Sequence, residues 1–315
     1  MTESNPRDEF VVPEELDGER LDKAAAKLAA NLSVARVKRA IDEGQVRVNG
    51  RRRAKGAPVA KGETISIARD EVSAPDAPAV PDRGAVLVVR FESPSVLVVD
   101  KPANQPTAPL KPNERGTLAN ALVAQYPELA GVGYGPREPG ILHRLDTNTS
   151  GLVVVARNAR AFDALRAALQ DGRIEKKYLL VCESEGLADE GTIAHPLANH
   201  PKDQRRVLAC VHPRDVMRYA PRQASTHYRV IRRGAKYALV EATVARALRH
   251  QIRVHFAAIA HPLVGDTLYG STDSALGNRH ALHASFVAFD GAEPDASAFS
   301  VESPLPDEMA ALVNA

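Results

Sequence analysis

The sequence predicts an α+β protein: a mixed, largely antiparallel sheet with helices, preceded by a small α/β domain. Three observations carry this. From residue 86 onward strand patterns outnumber the helical ones. Between residues 18 and 68, two helical patterns are followed by short strands. The stretch EVSAPDAPAVPDRG at 71–84, rich in Ala and Pro and without periodicity, reads as a semi-rigid linker between the two. A chain of 315 residues also exceeds the usual size of one domain. The expected organisation is a flexible tail at 1–14, a small domain at 15–70, a linker at 71–85 and a large domain at 86–315.

In the small domain Leu21, Ala24, Ala25, Leu28 and Leu32 recur at helical spacing. Ser33 is the expected N-cap of a second helix, whose apolar face is Val34, Val37 and Ile41 and whose end is Gly44. QVRVNG then alternates like a strand and closes in an Asn-Gly turn. In the large domain, Val96, Leu97, Val98 and Val99 form a strand leading into Asp100-Lys101-Pro102, and a helix starts at Thr117. Leu152, Val153, Val154 and Val155 read as a buried strand. Phe162, Leu165 and Leu169 share a helix face that stops at Gly172. KKYLLVC (176–182) and YALVEATV (237–244) read as strands, the second with Ala238, Val240, Ala242 and Val244 on one face. LRHQIRVHFAAIAHP reads as a helix with Leu248, Ile252, Phe256 and Ile259 in its apolar stripe and Pro262 beyond its end.

Composition excludes several classes. Hydrophobic residues at 44% and charged residues at 25% are ordinary for a soluble protein, while 4% aromatics and no Trp leave the core to aliphatic side chains. Cys182 and Cys210 lie far apart and form no CxxC, which suggests neither a zinc site nor a disulfide framework. No run approaches the roughly 18 apolar residues of a membrane helix, and MTESNPRDEF lacks the apolar segment of a signal peptide, so a cytoplasmic protein without membrane contact is expected. The net charge of +2 hides an asymmetry. Residues 18–68 carry twelve Lys/Arg against five Asp/Glu, a net of +7, and the remainder, with 29 basic and 34 acidic residues, carries −5. Arg36, Lys38, Arg39, Arg51, Arg52 and Arg53 cluster on a short fragment, which favours a polyanionic partner over a merely solvated surface.

The chemistry concentrates just before the strand at 152–155, in a polar knot of His143, Arg144, Asp146, Thr147, Asn148, Thr149 and Ser150. Two readings of Asp146 stand side by side: a carboxylate capping a turn, and a nucleophile or acid/base held rigidly by a strand. A retaining glycosidase would need a second carboxylate about 5 Å away, and no companion acid stands out. His143 and Asp146 lack a third metal ligand at familiar spacing, and His280 and His283 do not form HExxH. Dinucleotide and P-loop signatures are absent. No metal and no cofactor are expected.

Several separated blocks resemble known families. Arg20-Leu21-Asp22, the stretch from Ser33 to Arg36 and residues 44–50 are similar to the signature of the S4 RNA-binding domain. HRLDTNTSGL resembles the H-R-L-D-x-x-T-S-G-L motif of the RluA-type pseudouridine synthases. DKPANQP (100–106), EKKYLLV (175–181), GTIAHPLANHPKD (191–203), HQIRVHFAAIAHPLVGDTLYG (250–270) and ALHA (281–284) follow the order of that family's blocks. The resemblance implies a pseudouridine synthase fold after an S4-like domain. It also implies isomerisation of specific uridines in structured RNA, ribosomal above all, by a cofactor-free monomer. On it Asp146 is the nucleophilic aspartate, attacking the ribose C1′ or the pyrimidine C6 or assisting as a base, Arg144 fills the space the target base vacates, Tyr178 packs on that base, and Arg253 pairs with the aspartate and keeps it ionised. His143 and His250 orient structure. The chain departs from the family pattern where Ala247-Leu248-Arg249-His250-Gln251 stands for G-R-T-H-Q, and at Thr147-Asn148, which replaces a charged pair. The competing reading is a non-catalytic RNA-binding or ribosome-assembly factor that keeps the fold.

Overall fold

A computed structural model describes residues 7–29, 32, 34–42, 44–68, 77–273, 275–277, 279–291 and 295–314. The chain divides into two compact units, Met1–Ala77 and Pro78–Ala315.

In the first unit strands β1 (Arg7–Val11), β2 (Val46–Val48) and β3 (Thr64–Ala68) pair antiparallel in the order β1-β3-β2. Helices α1 (Leu21–Leu28) and α2 (Val34–Asp42) pack Leu21, Ala24, Val37 and Ile41 against Ile65 and Ile67 of the sheet. Gly44 follows α2 at φ +77°, the left-handed region that favours glycine. The expected cap Ser33 lies outside the described residues, as does 71–76 of the expected linker.

The tail expected at 1–14 is partly wrong, because β1 lies within it. Phe10 pairs with Ile65, Val12 is buried, and the Arg7 Nη1 donates to the Gln45 carbonyl at 3.1 Å. Arg7, Asp8 and Glu9 made the segment look like a tail, yet charge of this kind is what an edge strand carries to prevent further pairing. The linker is also shorter than expected. Ala79 is buried and its N–H donates to the Pro136 carbonyl at 3.0 Å; the Asn120 Nδ2 donates to the Val80 carbonyl at 2.8 Å. An extended Pro-rich segment leaves its backbone groups unpaired along its own length, so Pro136 and Asn120 bind them and tie residues 79–82 into the second unit.

The second unit is built on a mixed sheet in the order β4-β5-β6-β13-β7-β12-β11-β8, with β14 also paired to β13. The strands are β4 (Val89–Glu92), β5 (Val96–Lys101), β6 (Ser150–Ala156), β7 (Glu175–Glu183), β8 (Glu190–Ile193), β11 (Thr226–Arg233), β12 (Tyr237–Thr243), β13 (Leu282–Phe289) and β14 (Phe299–Glu302). Among the described residues, β13 against β6 is the one parallel pairing within it. The unbroken apolar runs of β5 and β6 follow from burial on both faces. Leu97, Val99, Val153 and Val155 enter one core cluster, and Val96, Val98, Leu152 and Val154 enter the other.

Helix α3 (Leu118–Gln125) starts at a reciprocal Thr117/Asn120 capping box, and α4 (Ala159–Gln170) is capped by Asn158. β9 (Leu197–Asn199) and β10 (Val207–Ala209) form a two-stranded excursion, followed by α5 (Pro213–Tyr219), which has no buried residue. The helix expected from Leu248 begins instead as α6 (Gln251–Ala258), because His250 adopts a left-handed backbone at φ 55° and the Gln251 side chain accepts the Leu248 N–H at 2.9 Å. Leu248 therefore leaves the stripe of Ile252 and Phe256 and packs in a separate cluster with Val254 and Tyr269. α7 (Asp307–Asn314) closes the described chain. Both cysteines are buried free thiols, and among the described residues no helix is long and apolar enough to cross a membrane.

Candidate active site

Asp146 sits in the loop entering β6, and that loop is tied down on several sides. Thr107 exchanges hydrogen bonds with the Leu145 backbone, donating to its carbonyl at 2.7 Å. The Thr149 N–H donates to the Asp146 carbonyl at 3.0 Å, closing a turn. Lys101, fully buried, donates from Nζ to the carbonyls of Pro102 (2.9 Å), Gln105 (2.7 Å) and Thr147 (3.1 Å). Thr149 Oγ1 lies 2.7 Å from His280 Nε2, and Ser150 Oγ lies 2.9 Å from His283 Nδ1. Gly151 takes φ +113° where β6 meets β13, and a Cβ there would stand 2.2 Å from the Ala284 carbonyl oxygen. The loop is held by side chains from β5, β13 and the β5–α3 connection, the support a reacting group needs.

The carboxylate itself is one end of a buried charge cluster. Arg253, from α6, donates from Nη1 to Asp146 Oδ2 at 2.6 Å, and holds Asp266 bidentately through Nε (2.7 Å) and Nη2 (2.8 Å). The Asp266 side chain is 1% exposed and that of Asp146 27%, so one carboxylate anchors the guanidinium and the other faces the solvent side. Burial opposes ionisation of Asp146, but His250 and Arg253 outweigh it and hold the carboxyl below its usual range. Arg253 is the partner that persists at neutral pH, since burial holds His250 itself neutral.

His250 has a defined part in this. The Tyr269 hydroxyl accepts the Val207 N–H at 2.8 Å and lies 2.8 Å from His250 Nδ1. Every group is satisfied when the hydroxyl proton points at Nδ1, which assigns the ring proton to Nε2, 3.6 Å from Asp146 Oδ1. Burial also keeps His280 neutral, near 4, and His143 neutral, near 3, the latter accepting the Val154 N–H on Nε2 at 3.2 Å.

Asp146, Arg144, Tyr178, Arg253, His250 and Lys176 line one cavity of about 1020 Å³. All four residues singled out in the sequence thus face the same space. Tyr178, on β7, is buried, and burial together with the Asp146 charge pushes its phenol above the ordinary value, so it is a neutral hydroxyl on an aromatic face. Arg144 stands at the mouth, its side chain 57% exposed and paired with Glu138 at 3.1 Å. Arg222, Arg246 and Arg249 add exposed guanidinium groups to the lining. Arg249 donates to the carbonyls of Gln204 (2.9 Å) and Arg205 (2.6 Å), so the arginine that stands where the family pattern has threonine fastens the start of α6 to the β9–β10 excursion.

Sequence reasoning missed Asp266, Lys101, Tyr269 and Lys176. Asp266 and Tyr269 were inside the block at 250–270 and Lys101 inside DKP, but nothing in their spacing says that they meet Asp146. The second carboxylate that a glycosidase would require is not supplied by Asp266, because Arg253 occupies both its oxygens. The site offers an ionised, anchored carboxylate, a neutral aromatic and a rim of cations around a space large enough for a nucleotide.

Comparison with known proteins accords with this geometry. Residues 95–258 match the RNA pseudouridylate synthase family, and residues 19–65 match the S4 domain. The chain is 34% identical to the uncharacterized RNA pseudouridine synthase YlyB of Bacillus subtilis, over 97% of this chain and 96% of that one. It is 35% identical to the ribosomal large subunit pseudouridine synthase D of Haemophilus ducreyi, over 96% and 92%. In fold it is similar to the solved human RNA pseudouridylate synthase domain containing 1, with a TM-score of 0.55, 24% identity and coverage of 71% and 85%. The chain therefore belongs to the RNA pseudouridylate synthase family, as an RNA-modifying enzyme with an S4 domain ahead of its pseudouridylate synthase unit.

Proposed function

We propose that this enzyme converts specific uridines of large-subunit ribosomal RNA to pseudouridine in the cytoplasm, with Asp146 as the nucleophile. The observation that carries the reading is the Asp146 carboxylate held ionised by Arg253 at 2.6 Å inside a cavity it shares with Tyr178. The ribosomal target rests on the relatives named ribosomal large subunit pseudouridine synthase D.

In the reaction the N1–C1′ bond of the target breaks, the base turns within the cavity, C5 bonds to C1′, and the C5 proton leaves as N1 gains one. An ionised carboxylate is an acceptor with no proton to give, which suits it to attack on carbon, at C1′ or at C6, each route leaving an ester to Asp146 on a different atom. Arg253 keeps the carboxylate charged until it attacks. Tyr178 supplies an apolar face for the uracil, and its neutral hydroxyl is a donor and acceptor at the ring edge. Leaving its stack costs the uridine about a few kcal/mol, and Arg144 at the mouth is the side chain that takes the vacated place. The first unit, taken as an RNA-binding domain over residues 15–70, supplies phosphate contacts from Lys23, Arg47, Arg51 and Arg52, all exposed.

The experiment is pseudouridine mapping in ribosomal RNA from cells lacking the gene, complemented with wild type or Asp146→Asn. Sites that vanish with the gene, return with wild type and stay absent with the variant support the reading. An unchanged map favours a non-catalytic RNA-binding factor.

A further inference from the structure

The second unit buries two lysines on its sheet, and they are treated differently. Lys101 points its ammonium at three backbone carbonyls. Lys176, 4% exposed, lines the cavity and makes no hydrogen bond or ion pair with the described residues. Along β7, Lys176, Tyr178, Leu180 and Cys182 share one face, and the last three belong to the apolar core. Pattern alone would place an aliphatic residue at 176. The Lys176 side chain is largely buried and its ammonium reaches open space only through the cavity, an unfavourable placement beside an aliphatic residue, so its presence points to a negative partner that enters the cavity.

Lys176 remains largely protonated at neutral pH, since burial brings its pKa down only to about 8. Two residues along a strand is about 7 Å, close to the length of one nucleotide, and Lys176 stands that far from Tyr178 on the same face. With the target base on Tyr178, the group reaching Lys176 is the RNA backbone next to the flipped nucleotide. Glu138 is the other acid besides Asp146 on the cavity wall, and it is engaged by Arg144, so no wall carboxylate competes for the ammonium.

We infer that Lys176 is a phosphate-binding residue inside the cavity, gripping a phosphodiester that flanks the target uridine and so fixing how deeply that nucleotide enters. This rests on the proposed reaction at Asp146 and extends it to a backbone contact made only by an RNA that has delivered a nucleotide into the site.

The test uses the full chain with an unmodified transcript of large-subunit ribosomal RNA carrying tritium at uridine C5. Filter binding over a range of salt reads the contact, and tritium release reads the chemistry. Lys176→Met should raise KM about tenfold, with kcat changed less than about threefold, consistent with removal of a binding interaction. It should also make the slope of log affinity against log salt shallower by about 0.7–0.9, the contribution of one phosphate. Lys176→Arg should keep the slope and KM near wild type. The melting temperature of Lys176→Met should be no lower than that of wild type, because a largely buried charge without a protein partner has been removed. A wild-type slope and KM in Lys176→Met would overturn the inference, as would a lowered melting temperature with an unchanged slope, or a Lys176→Arg as defective as Lys176→Met. Wild-type protein that binds the transcript but releases no tritium would instead sink the reaction assigned to Asp146 on this RNA, and the salt slope would still judge Lys176.

Discussion

The two units handle charge in opposite ways. In the first, apart from the buried Asp22 that Arg20 and Lys38 cover from the solvent side, cations meet carboxylates at the surface: Lys55 with Asp42 at 2.9 Å and Lys61 with Glu14 at 2.8 Å, both pairs largely exposed. Such pairs are worth at most about 1 kcal/mol each and leave the net field of the unit to act on a distant polyanion. In the second, Arg253 is 7% exposed between Asp146 and Asp266, and little solvent screens it. Charge at the surface attracts RNA of any sequence, whereas charge in the cavity sets the state of one carboxylate. The difference lies in burial, which composition does not report.

The comparison breaks most visibly at Arg253. Arg253→Met leaves Asp266 in the interior and Asp146 on the cavity wall without their cation and should destabilise the second unit by about 3–5 kcal/mol, measured by urea unfolding. Activity should fall with it, and Arg253→Lys should rescue stability better than activity, because an ammonium cannot hold Asp266 bidentately and still reach Asp146. A smaller loss is expected at Lys101. Lys101→Met strands the carbonyls of Pro102, Gln105 and Thr147 and should cost about 1–3 kcal/mol, while Lys176→Met costs nothing. Equal losses at the two lysines would erase the distinction drawn between them.

The buried histidines give a pH signature that the surface pairs lack. Folded His143 near 3 and His280 near 4 refuse a proton that the unfolded chain takes up near 6.5. Above pH 6.5 neither state is charged and they contribute no pH dependence. As pH falls below it, the unfolded state binds more protons and stability drops, by up to about 1.4 kcal/mol per pH unit for each histidine. Unfolding free energies between pH 7.5 and 4.5 should show this slope, and His280→Gln should remove about one histidine's share of it. The smallest stability effects belong to the first unit. Arg47→Ala and Arg51→Ala should change stability by less than about 0.5 kcal/mol, yet each should flatten the salt dependence of RNA binding by about 0.9, because each removes the cation that neutralises one phosphate. A large stability loss there would mean that these arginines hold the fold together.

Much of the fold was legible because its signals are local. The runs at 96–99 and 152–155 announce strands buried on both faces, and Thr117 announces a helix start that its capping box delivers. β1 was not legible, since an edge strand rich in charge looks like a tail until its partner β3 is known. Nor was the attachment of residues 79–82, which depends on backbone hydrogen bonds and not on side-chain pattern. At the site, Asp146, Arg144, Tyr178 and Arg253 could be named from their motifs, and they share one cavity. Asp266 could not, because its partnership with Arg253 is a meeting of α6 with the loop beyond it. The left-handed His250 hid the true start of α6, since periodicity carries no sign of φ.

The carboxylate of Asp146, on the function proposed, performs the chemistry and does not merely cap a turn. The direct measurement is tritium release from C5-labelled RNA by purified wild type and Asp146→Asn, with RNA affinity measured in parallel. Asparagine keeps the shape and removes the ionised carboxylate. The expected result is a fall in rate on the order of a thousandfold or more with affinity within about threefold of wild type. Equal rates in the two proteins would contradict it.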